Sequence, residues 1–182
     1  TDVLFDAAQK TFAQPDWEAV DSFVPTDSLF YEQWALKNTG FFYPLPGVDA
    51  RVETAWNITT GAETPVRVGD IDSGISVGHE DLPPVTEYHL DCGSNCSTID
   101  DFSGHGTATA GIIAARGNNR KGIAGIDWGA QIVPLKWESP TLRRGSNITK
   151  CIATALQMRL PIVNLSVSSS EDQEAMLRSV PT

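Results

Sequence analysis

Two short segments of the chain carry side chains suited to proton transfer. Residues 68–75 read VGDIDSGI, which predicts a strand that ends with the carboxylate of Asp72 and is followed by small residues. Residues 101–111 read DFSGHGTATAG, which predicts a helix that begins near His105, between two glycines. A carboxylate that accepts the Nδ1–H of a histidine fixes the tautomer and stabilises the imidazolium that forms when the ring takes a proton. Together the two segments predict an Asp–His pair that works as a general base.

Each segment alone has a simpler interpretation. An aspartate after a strand is commonly a turn former, and a histidine at the start of a helix is commonly structural. Asp70 and Asp72 also allow the acidic pair of a Mg²⁺-dependent phosphatase, with one carboxylate as the nucleophile. That alternative leaves residues 104–107 without a role and offers no clear lysine downstream. The occurrence of both segments in this order favours the Asp–His interpretation.

The elements that must position these residues follow from the hydrophobic pattern. Strands are expected at 66–72, 131–137 and 161–167, and helices are expected at 48–56, 104–115 and 146–160. The alternation of strands and helices predicts an α/β fold, in which a mainly parallel sheet is flanked by helices in three layers. In such a sheet, ligands and catalytic groups lie at the carboxyl ends of the strands. Four residues are expected to share one face of the second helix: His105, Ala108, Ile112 and Ala115.

Composition limits the possible classes of function. The chain has 182 residues, of which 41% are hydrophobic, and this is enough for one substantial core. Its 13 Lys and Arg residues against 23 Asp and Glu residues give a formal net charge of -10, and an acidic surface disfavours nucleic-acid partners. No apolar run approaches the roughly 20 residues of a bilayer span, so no membrane span is expected. The aromatic stretch 28–48 is expected to form an irregular arm laid on the core.

The three cysteines fall in two settings. Cys92 and Cys96 lie in a polar, turn-rich loop, where a disulfide can close a small ring in an oxidising compartment. A zinc site there would need further ligands, and only His89 is near in the sequence, so zinc is disfavoured. Cys151 lies in an apolar helical pattern and is expected to be a small buried residue.

Several segments together resemble the subtilisin-like serine proteases, the subtilases. Residues 72–82 are similar to the family's catalytic-Asp motif, and residues 104–114 are similar to its catalytic-His motif. Residues 122–136 resemble the stretch that follows the His motif, and residues 162–166 resemble the strand beside the substrate cleft. The resemblance covers residues 28–182, which are interpreted as the N-terminal portion of a catalytic domain.

The resemblance implies a serine endopeptidase that hydrolyses peptide bonds with an Asp-His-Ser triad. Asp72 would orient His105, and His105 would act as the base. Ser166, Val167 and Ser168 would offer backbone groups to an extended substrate. No Gly-Thr-Ser-x-Ala segment and no matching oxyanion-hole asparagine occur in the sequence, so we expect the chain to stop before both. The chain by itself is therefore expected to be inactive.

Two departures from the family pattern favour an alternative, a catalytically degenerate subtilase-like domain used for binding or as a scaffold. The family's His motif usually continues with another histidine and an aliphatic residue, where this chain has Ala108 and Thr109. The Ser-Leu-Gly of the cleft edge is replaced by residues 166–168 (SVS), and the loss of the glycine restricts the backbone there.

The resemblance further implies a structural calcium ion, a propeptide and a secreted setting. Asp81 matches a calcium ligand of many family members, and Asn118 or Asn119 lies in the loop that supplies another oxygen. A surface acid and a helix-ending turn explain the same residues equally well. Residues 1–27 are interpreted as the tail of an inhibitory propeptide or as an entry segment. The expected partners are a protein or peptide substrate and the chain's own propeptide, and no cofactor is expected for catalysis.

Overall fold

Short strands alternate with helices along the chain in the computed structural model, which describes residues 23–42, 44–90, 97–137 and 146–166. The strands are β1 (Arg67–Asp72), β2 (His89–Leu90), β3 (Gln131–Lys136) and β4 (Ile162–Asn164). The helices are α1 (Val52–Trp56), α2 (His105–Ala114) and α3 (Ser146–Gln157), and a 3₁₀ turn covers Phe30–Glu32. Within the described ranges, no helix has the length and apolar character needed to cross a membrane.

The strands form one parallel sheet in the order β2-β3-β1-β4. β1 is paired on both sides, so that Asp70 lies opposite Pro134 of β3 and opposite Asn164 of β4. Because every pairing among these strands is parallel, their carboxyl ends lie at one edge of the sheet. The order confirms the predicted α/β fold. It also makes β1, the strand that ends with Asp72, an interior strand of the sheet.

The two faces of the sheet bury different side chains. On one face, Ala110 and Ala114 of α2 pack with Val68 of β1 and Ile132 of β3. A second cluster lies between the other face and α3: Ile71, Val133, Leu135, Ile148, Cys151 and Ala155. Burial of one large aliphatic side chain stabilises a fold by about 1.5–3 kcal/mol. The two clusters confirm the three-layer arrangement and the predicted burial of Cys151.

Helix α2 meets the sheet through its smallest residues. The buried residues of α2 are these: Gly106, Ala110, Gly111 and Ala114. Ala108 and Ile112, which the sequence pattern groups with His105, are exposed, so the predicted shared face lies on the solvent side of the helix except at Ala115, which is buried. The reason is steric, since small side chains let a helix axis come close to a sheet and a face that carries isoleucine does not.

Several element boundaries differ from those expected. Helix α1 begins at Val52 and not at residue 48, because Arg51 adopts a left-handed conformation (φ 50°) and ends any earlier helical run. Strand β3 runs through Pro134, which fits there because β2 pairs with β3 only at the next two residues. Strand β4 is shorter than the predicted 161–167 and ends at Asn164.

The aromatic arm is laid on the core over only part of its length. Phe30 is buried with Trp56 and Val52 in a third apolar cluster. Phe41 and Phe42 are exposed, in contrast to the expectation, and their rings contact each other edge to face at a centroid distance of 4.8 Å. A local aromatic pair removes some apolar surface from water without reaching the core.

Candidate active site

Asp72 is held at the carboxyl end of β1 by its own strand. The residue is 4% exposed, and the backbone N–H of Ser73 donates a hydrogen bond to Oδ1 at 2.7 Å. Successive strand residues point to opposite faces, so Asp72 lies on the same face as Val68, the face covered by α2. The sheet therefore directs the carboxylate towards the first turn of that helix.

His105 is the first residue of α2, and its ring contacts Asp72. The Nδ1–H donates to Oδ1 at 2.8 Å and to Oδ2 at 2.9 Å. The side chain of His105 is 55% exposed, whereas that of Asp72 is 5% exposed. Because Nδ1 carries the proton in this contact, Nε2 is the basic atom of the neutral ring. The two side chains, 33 positions apart, meet as the sequence predicts.

The surroundings of His105 favour its protonated form. The hydrogen bond to Asp72 and then the charge of Asp72 raise the pKa of His105 above its ordinary value of 6.5. The charges of Asp70 and Asp101 act in the same direction, and partial burial of the ring opposes them. A base whose protonated form is stabilised accepts a proton more readily, which is the property that acid–base catalysis requires.

The close approach of α2 to β1 depends on Gly106. A Cβ on this residue would lie 2.2 Å from the carbonyl oxygen of Gly74 and 3.0 Å from the Cβ of Asp72. The backbone N–H of Gly106 instead donates to Oγ of Ser73 at 3.0 Å. Gly104, just before the helix, has a φ of 81°, which favours glycine at that position. The glycines on either side of His105 are thus required by packing and by backbone conformation.

Asp101 is a residue of the site whose role the sequence analysis missed. Its carboxylate accepts the backbone N–H groups of Gly104 at 2.9 Å and Thr107 at 2.8 Å, and also the hydroxyl of Ser73 at 2.8 Å. Burial alone would raise the pKa of Asp101, but the hydrogen bonds from Thr107, Ser73 and Gly104 outweigh it and lower the pKa. Its position a few residues before the helix is the sequence signal for such a capping role.

Asp70 and its partners form a second missed group, behind Asp72. Asp70 is 3% exposed, with Oδ1 accepting from Nδ2 of Asn164 at 2.8 Å and Oδ2 lying 3.0 Å from Oγ1 of Thr109. Burial raises the pKa of Asp70 to about 6, and the charge of Asp72 adds to the effect. Thr109, a departure from the family motif, therefore contacts a buried acid that the sequence suggested only for the phosphatase alternative.

Of the predicted substrate-binding residues, Ser166 lies beside the edge strand. Ser166 is exposed two residues after β4, and its hydroxyl donates to Oδ1 of Asn164 at 3.1 Å. Val167 and Ser168 lie outside the described residues. Cys92 and Cys96 also lie outside them, so the predicted disulfide stays a prediction.

The predicted calcium ligands contact different partners. Asp81 is buried, and its oxygens accept from Nδ2 of Asn119 at 2.7 Å and from the N–H of Ile123 at 2.9 Å. Oδ1 of Asn118 accepts from Thr26 instead. In the part of the chain that the structure describes, no three His, Cys, Asp or Glu side chains gather as a metal-binding group.

Asp27 is a neighbour of this loop that the sequence analysis did not single out. It is 5% exposed, its Oδ2 accepts the N–H of Asn118, and its Oδ1 has no hydrogen-bond partner. Burial raises the pKa of Asp27, and the nearby charge of Asp81 contributes to the rise. An unsatisfied buried oxygen beside a second carboxylate suits a hard, oxygen-bound cation, so the donors fit calcium in their chemistry.

The fold and the Asp–His pair define a class of protein, a three-layer α/β protein with a histidine in contact with a buried aspartate at the carboxyl edge of its parallel sheet. The sequence model of the subtilase family matches residues 64–179, and the chain belongs to that family. This assignment confirms the resemblance drawn from the Asp and His segments.

Relatives with curated descriptions also support assignment to a family of proteases. Neuroendocrine convertase 2 of Bos taurus is 30% identical over 120 residues, which are 60% of this chain and 18% of the relative. A calcium-dependent protease of Nostoc sp. is 32% identical over 114 residues, 60% of this chain and 17% of the relative. The chain thus spans less than a fifth of the length of these relatives.

Solved structures share the fold. A protease from Pseudoalteromonas arctica superposes with a TM-score of 0.65 at 22% identity, covering 86% of this chain and 56% of that one. The nisin leader peptidase NisP from Lactococcus lactis gives a TM-score of 0.57 at 21% identity, covering 80% of this chain and 42% of that one.

Proposed function

We propose that the full-length protein is a serine endopeptidase and that this chain supplies its base and orienting acid. The observation that carries the proposal is the contact between Nδ1 of His105 and the buried carboxylate of Asp72. Membership of the subtilase family supports it, as does the position of the pair at the carboxyl edge of the sheet.

In the proposed reaction, a serine hydroxyl from outside this chain attacks the carbonyl carbon of a peptide bond. Nε2 of His105 takes the hydroxyl proton as the new C–O bond forms and the carbonyl electrons move to oxygen. His105 then gives this proton to the amine as the C–N bond breaks, and water repeats the sequence to release the acyl group. Asp72 holds the Nδ1–H throughout and stabilises the imidazolium. General-base assistance of this kind contributes about 10²–10⁴-fold to a rate.

An extended peptide substrate fits the edge of the sheet beside the pair. In the described part of the sheet, β4 has β1 on one side and is the outermost strand on the other. We propose that the backbone of residues 166–168 pairs with the substrate, in the manner of an added strand.

The proposal includes a structural calcium ion held by oxygens of Asp81, Asn118 and Asp27, which takes no part in the reaction. The unpartnered Oδ1 of Asp27 is the observation behind it, and one relative is described as calcium-dependent. Calcium at a hundredfold excess over its dissociation constant should stabilise the chain by about 2.7 kcal/mol against thermal unfolding. Asp27→Asn should reduce that gain, whereas Glu63→Gln, an exposed acid elsewhere, should not. Equal melting temperatures with calcium and with chelator would exclude the site.

A secreted setting, a propeptide within residues 1–27 and a disulfide between Cys92 and Cys96 belong to the same proposal. Secreted proteins keep disulfides that the cytosol would reduce. Thiol titration of the native protein, denatured without reductant, should therefore find one reactive thiol, that of Cys151. A count of three thiols would remove both the disulfide and the support that it gives to secretion.

The activity is tested on the full-length protein and on the 182-residue chain side by side. The full-length protein should cleave peptides and react with a serine-directed phosphonate, and the chain alone should do neither. His105→Gln should abolish both reactions, and His89→Gln, on β2, should leave them intact.

Two results would contradict the proposal in different ways. Labelling of the 182-residue chain at Ser166 or Ser168 would show that the nucleophile lies in this chain. A correctly folded full-length protein that neither cleaves nor reacts would favour the degenerate binding domain, for which the Ala108 and Thr109 departures are the sequence argument.

A further inference from the structure

The Thr109 hydroxyl lies between the two carboxylates of β1. Asp70 and Asp72 are two residues apart and point to the same face of the sheet, towards α2. Oγ1 of Thr109 is 3.0 Å from Oδ2 of Asp70, 3.4 Å from Oδ2 of Asp72 and 2.9 Å from the carbonyl oxygen of Gly106. One hydroxyl therefore contacts three oxygens, each of which accepts hydrogen bonds when both carboxylates are ionised.

The single hydrogen of Thr109 limits how many of these oxygens it can serve. A hydroxyl has one hydrogen to donate and two lone pairs to accept with, so it can donate to one of the three oxygens at a time and can also accept a hydrogen bond from a protonated carboxyl group. Gly106 offers a carbonyl oxygen, and Asp72 is engaged with the Nδ1–H of His105. Asp70 is the group left to carry the proton, and it is 3% exposed.

The two oxygens of Asp70 have partners that suit a protonated acid. Oδ1 accepts from Nδ2 of Asn164 at 2.8 Å, as the carbonyl oxygen of a carboxylic acid does. Oδ2 faces the Thr109 hydroxyl, which can accept the acid proton and pass its own to another oxygen. A buried acid with one acceptor oxygen and one donor oxygen needs no counter-charge.

The charges around Asp70 belong to few groups. On its own strand Asp72 faces α2, and on α2 the titratable group is His105. β4 presents the neutral Asn164, and β3 presents Pro134 opposite Asp70 and Lys136 opposite Asp72. The Lys136 ammonium donates to the carbonyl oxygen of Asp100.

We propose that Asp70 is a positioning residue for the Asp72–His105 pair, acting by holding a proton that it shares with Thr109. While Asp70 is protonated, Thr109 can donate its own proton to Asp72 or Gly106. When Asp70 loses the proton, Thr109 turns its hydrogen to Asp70, and a second negative charge then lies near His105. The imidazolium form of His105 is stabilised in that state. The protonation of Asp70 and the protonation of His105 are therefore coupled through Thr109. The role of Asp70 in catalysis rests on the proposed function.

The test follows the ring protons of His105 by NMR during a pH titration of the full chain. The chain has three histidines, and His105→Gln assigns the resonance. The wild-type curve should show a second inflection near pH 6, the value to which burial raises the pKa of Asp70. Asp70→Asn should remove that inflection and lower the His105 midpoint by about half a unit to one unit.

Variants of Thr109 separate a shared proton from a simple charge effect. Thr109→Val, which keeps the shape and removes the hydroxyl, should reduce the effect of Asp70→Asn on His105 to less than half. Thr109→Ser, which keeps the hydroxyl, should behave as the wild type. An identical His105 curve in wild type and Asp70→Asn would overturn the proposal, as would an undiminished effect of Asp70→Asn in the Thr109→Val background.

Two further measurements keep the outcome interpretable. The ¹³C shift of the Asp70 carboxyl group, read in the unmutated chain, should report a protonated acid at pH 5, and an ionised group there would overturn the proposal without any variant. Asp72→Asn should bring the His105 midpoint down towards its ordinary value. If it does not, the Asp72–His105 pair of the proposed function fails, whereas the Asp70 carboxyl shift still decides the role of Asp70.

Discussion

Two aspartates near the start of α2, Asp70 and Asp101, have pKa shifts in opposite directions because their surroundings differ. Asp101 receives several hydrogen bonds from backbone N–H groups and hydroxyls, which lower its pKa despite burial. Asp70 is buried with few donors, and its pKa rises to about 6. Asp72 contacts the ring of His105 through both oxygens. A residue's type therefore sets what chemistry is available, and the local donors and burial decide which form is populated.

At this scale we predict the effect of removing one carboxylate charge. In the full-length protein, Asp72→Asn should lower kcat by about 10³–10⁴-fold, because the amide no longer fixes the tautomer or stabilises the imidazolium. In the unaltered protein, kcat/KM should fall as pH is lowered, with a midpoint above the ordinary histidine value of 6.5, since the pKa of His105 is raised.

The measurement is the pH profile of peptide hydrolysis for both proteins. Glu63→Gln, which removes one exposed carboxylate charge, is the control and should leave the profile unchanged. An Asp72→Asn protein that keeps more than a tenth of the activity would argue against the assigned role.

At the scale of elements, the site exists because a helix start and a strand end approach very closely. The face of α2 that meets β1 is made of glycine and alanine, and Gly106 leaves no room for a Cβ against Gly74. Asp101 holds the first turn of the helix through the N–H groups of Gly104 and Thr107. Packing and capping thus act together to fix where α2 begins and, with it, where His105 lies.

Two glycines of α2 give a matched test of this packing. Gly106→Ala should destabilise the chain by about 1–3 kcal/mol and move His105 away from Asp72, because the new methyl would meet backbone. Gly111→Ala meets only the end of Ile123 at 3.4 Å and should be tolerated, with a gain of up to about 1 kcal/mol from helix propensity.

Urea unfolding gives the free energies, and the His105 NMR midpoint reports the contact with Asp72. If both variants had equal stability and equal His105 midpoints, close packing at Gly106 would not be what positions the histidine.

At the scale of the whole molecule, the buried acid links stability to pH. The folded-state pKa of Asp70, about 6, lies above the ordinary value of 3.8 that an unfolded chain would show. Between these values the folded state binds more protons than the unfolded state, so this group's contribution to stability falls as pH rises. The contribution is fully present below pH 3.8 and is lost as pH passes through about 6.

We predict that Asp70→Asn removes this dependence. The free energy of unfolding of the wild type, minus that of the variant, should fall by on the order of 3 kcal/mol between about pH 4 and pH 7. Groups that titrate in this range without interacting with Asp70 cancel in the difference. Urea unfolding of both proteins at several pH values measures it, and a difference that stays constant or rises would show that Asp70 is not a raised-pKa acid in the folded state.

A second feature at the scale of the whole molecule is the side of β4 that has no paired strand in the described part of the sheet. Ile162, Val163 and Leu156 are each partly exposed there, beside a cavity of about 350 Å³ lined by apolar side chains of the sheet and α3. Apolar surface of this kind lowers the stability and solubility of a chain that exposes it.

The sequence by itself determined three helices and three of the four described strands, with β2 missed, and also the Asp72–His105 contact. Strand and helix periods are local properties, and small residues beside Asp72 and His105 are readable signals of close packing. The subtilase resemblance, which the family match confirms, also needed only local motifs. The elements and the two motifs could be predicted because each is written within about ten consecutive residues, and the contact between Asp72 and His105 follows from the two motifs taken together.

Only the tertiary structure decided which polar residues surround that pair. The contact of Asp70 with Asn164 joins residues 94 positions apart, and that of Asn118 with Asp27 joins residues 91 apart. Such contacts depend on how the sheet is ordered and which face of α2 meets it, and the hydrophobic pattern left that face undecided because the packed residues are glycine and alanine. Burial and hydrogen-bond partners, which set the protonation of Asp70, exist only once these distant segments meet.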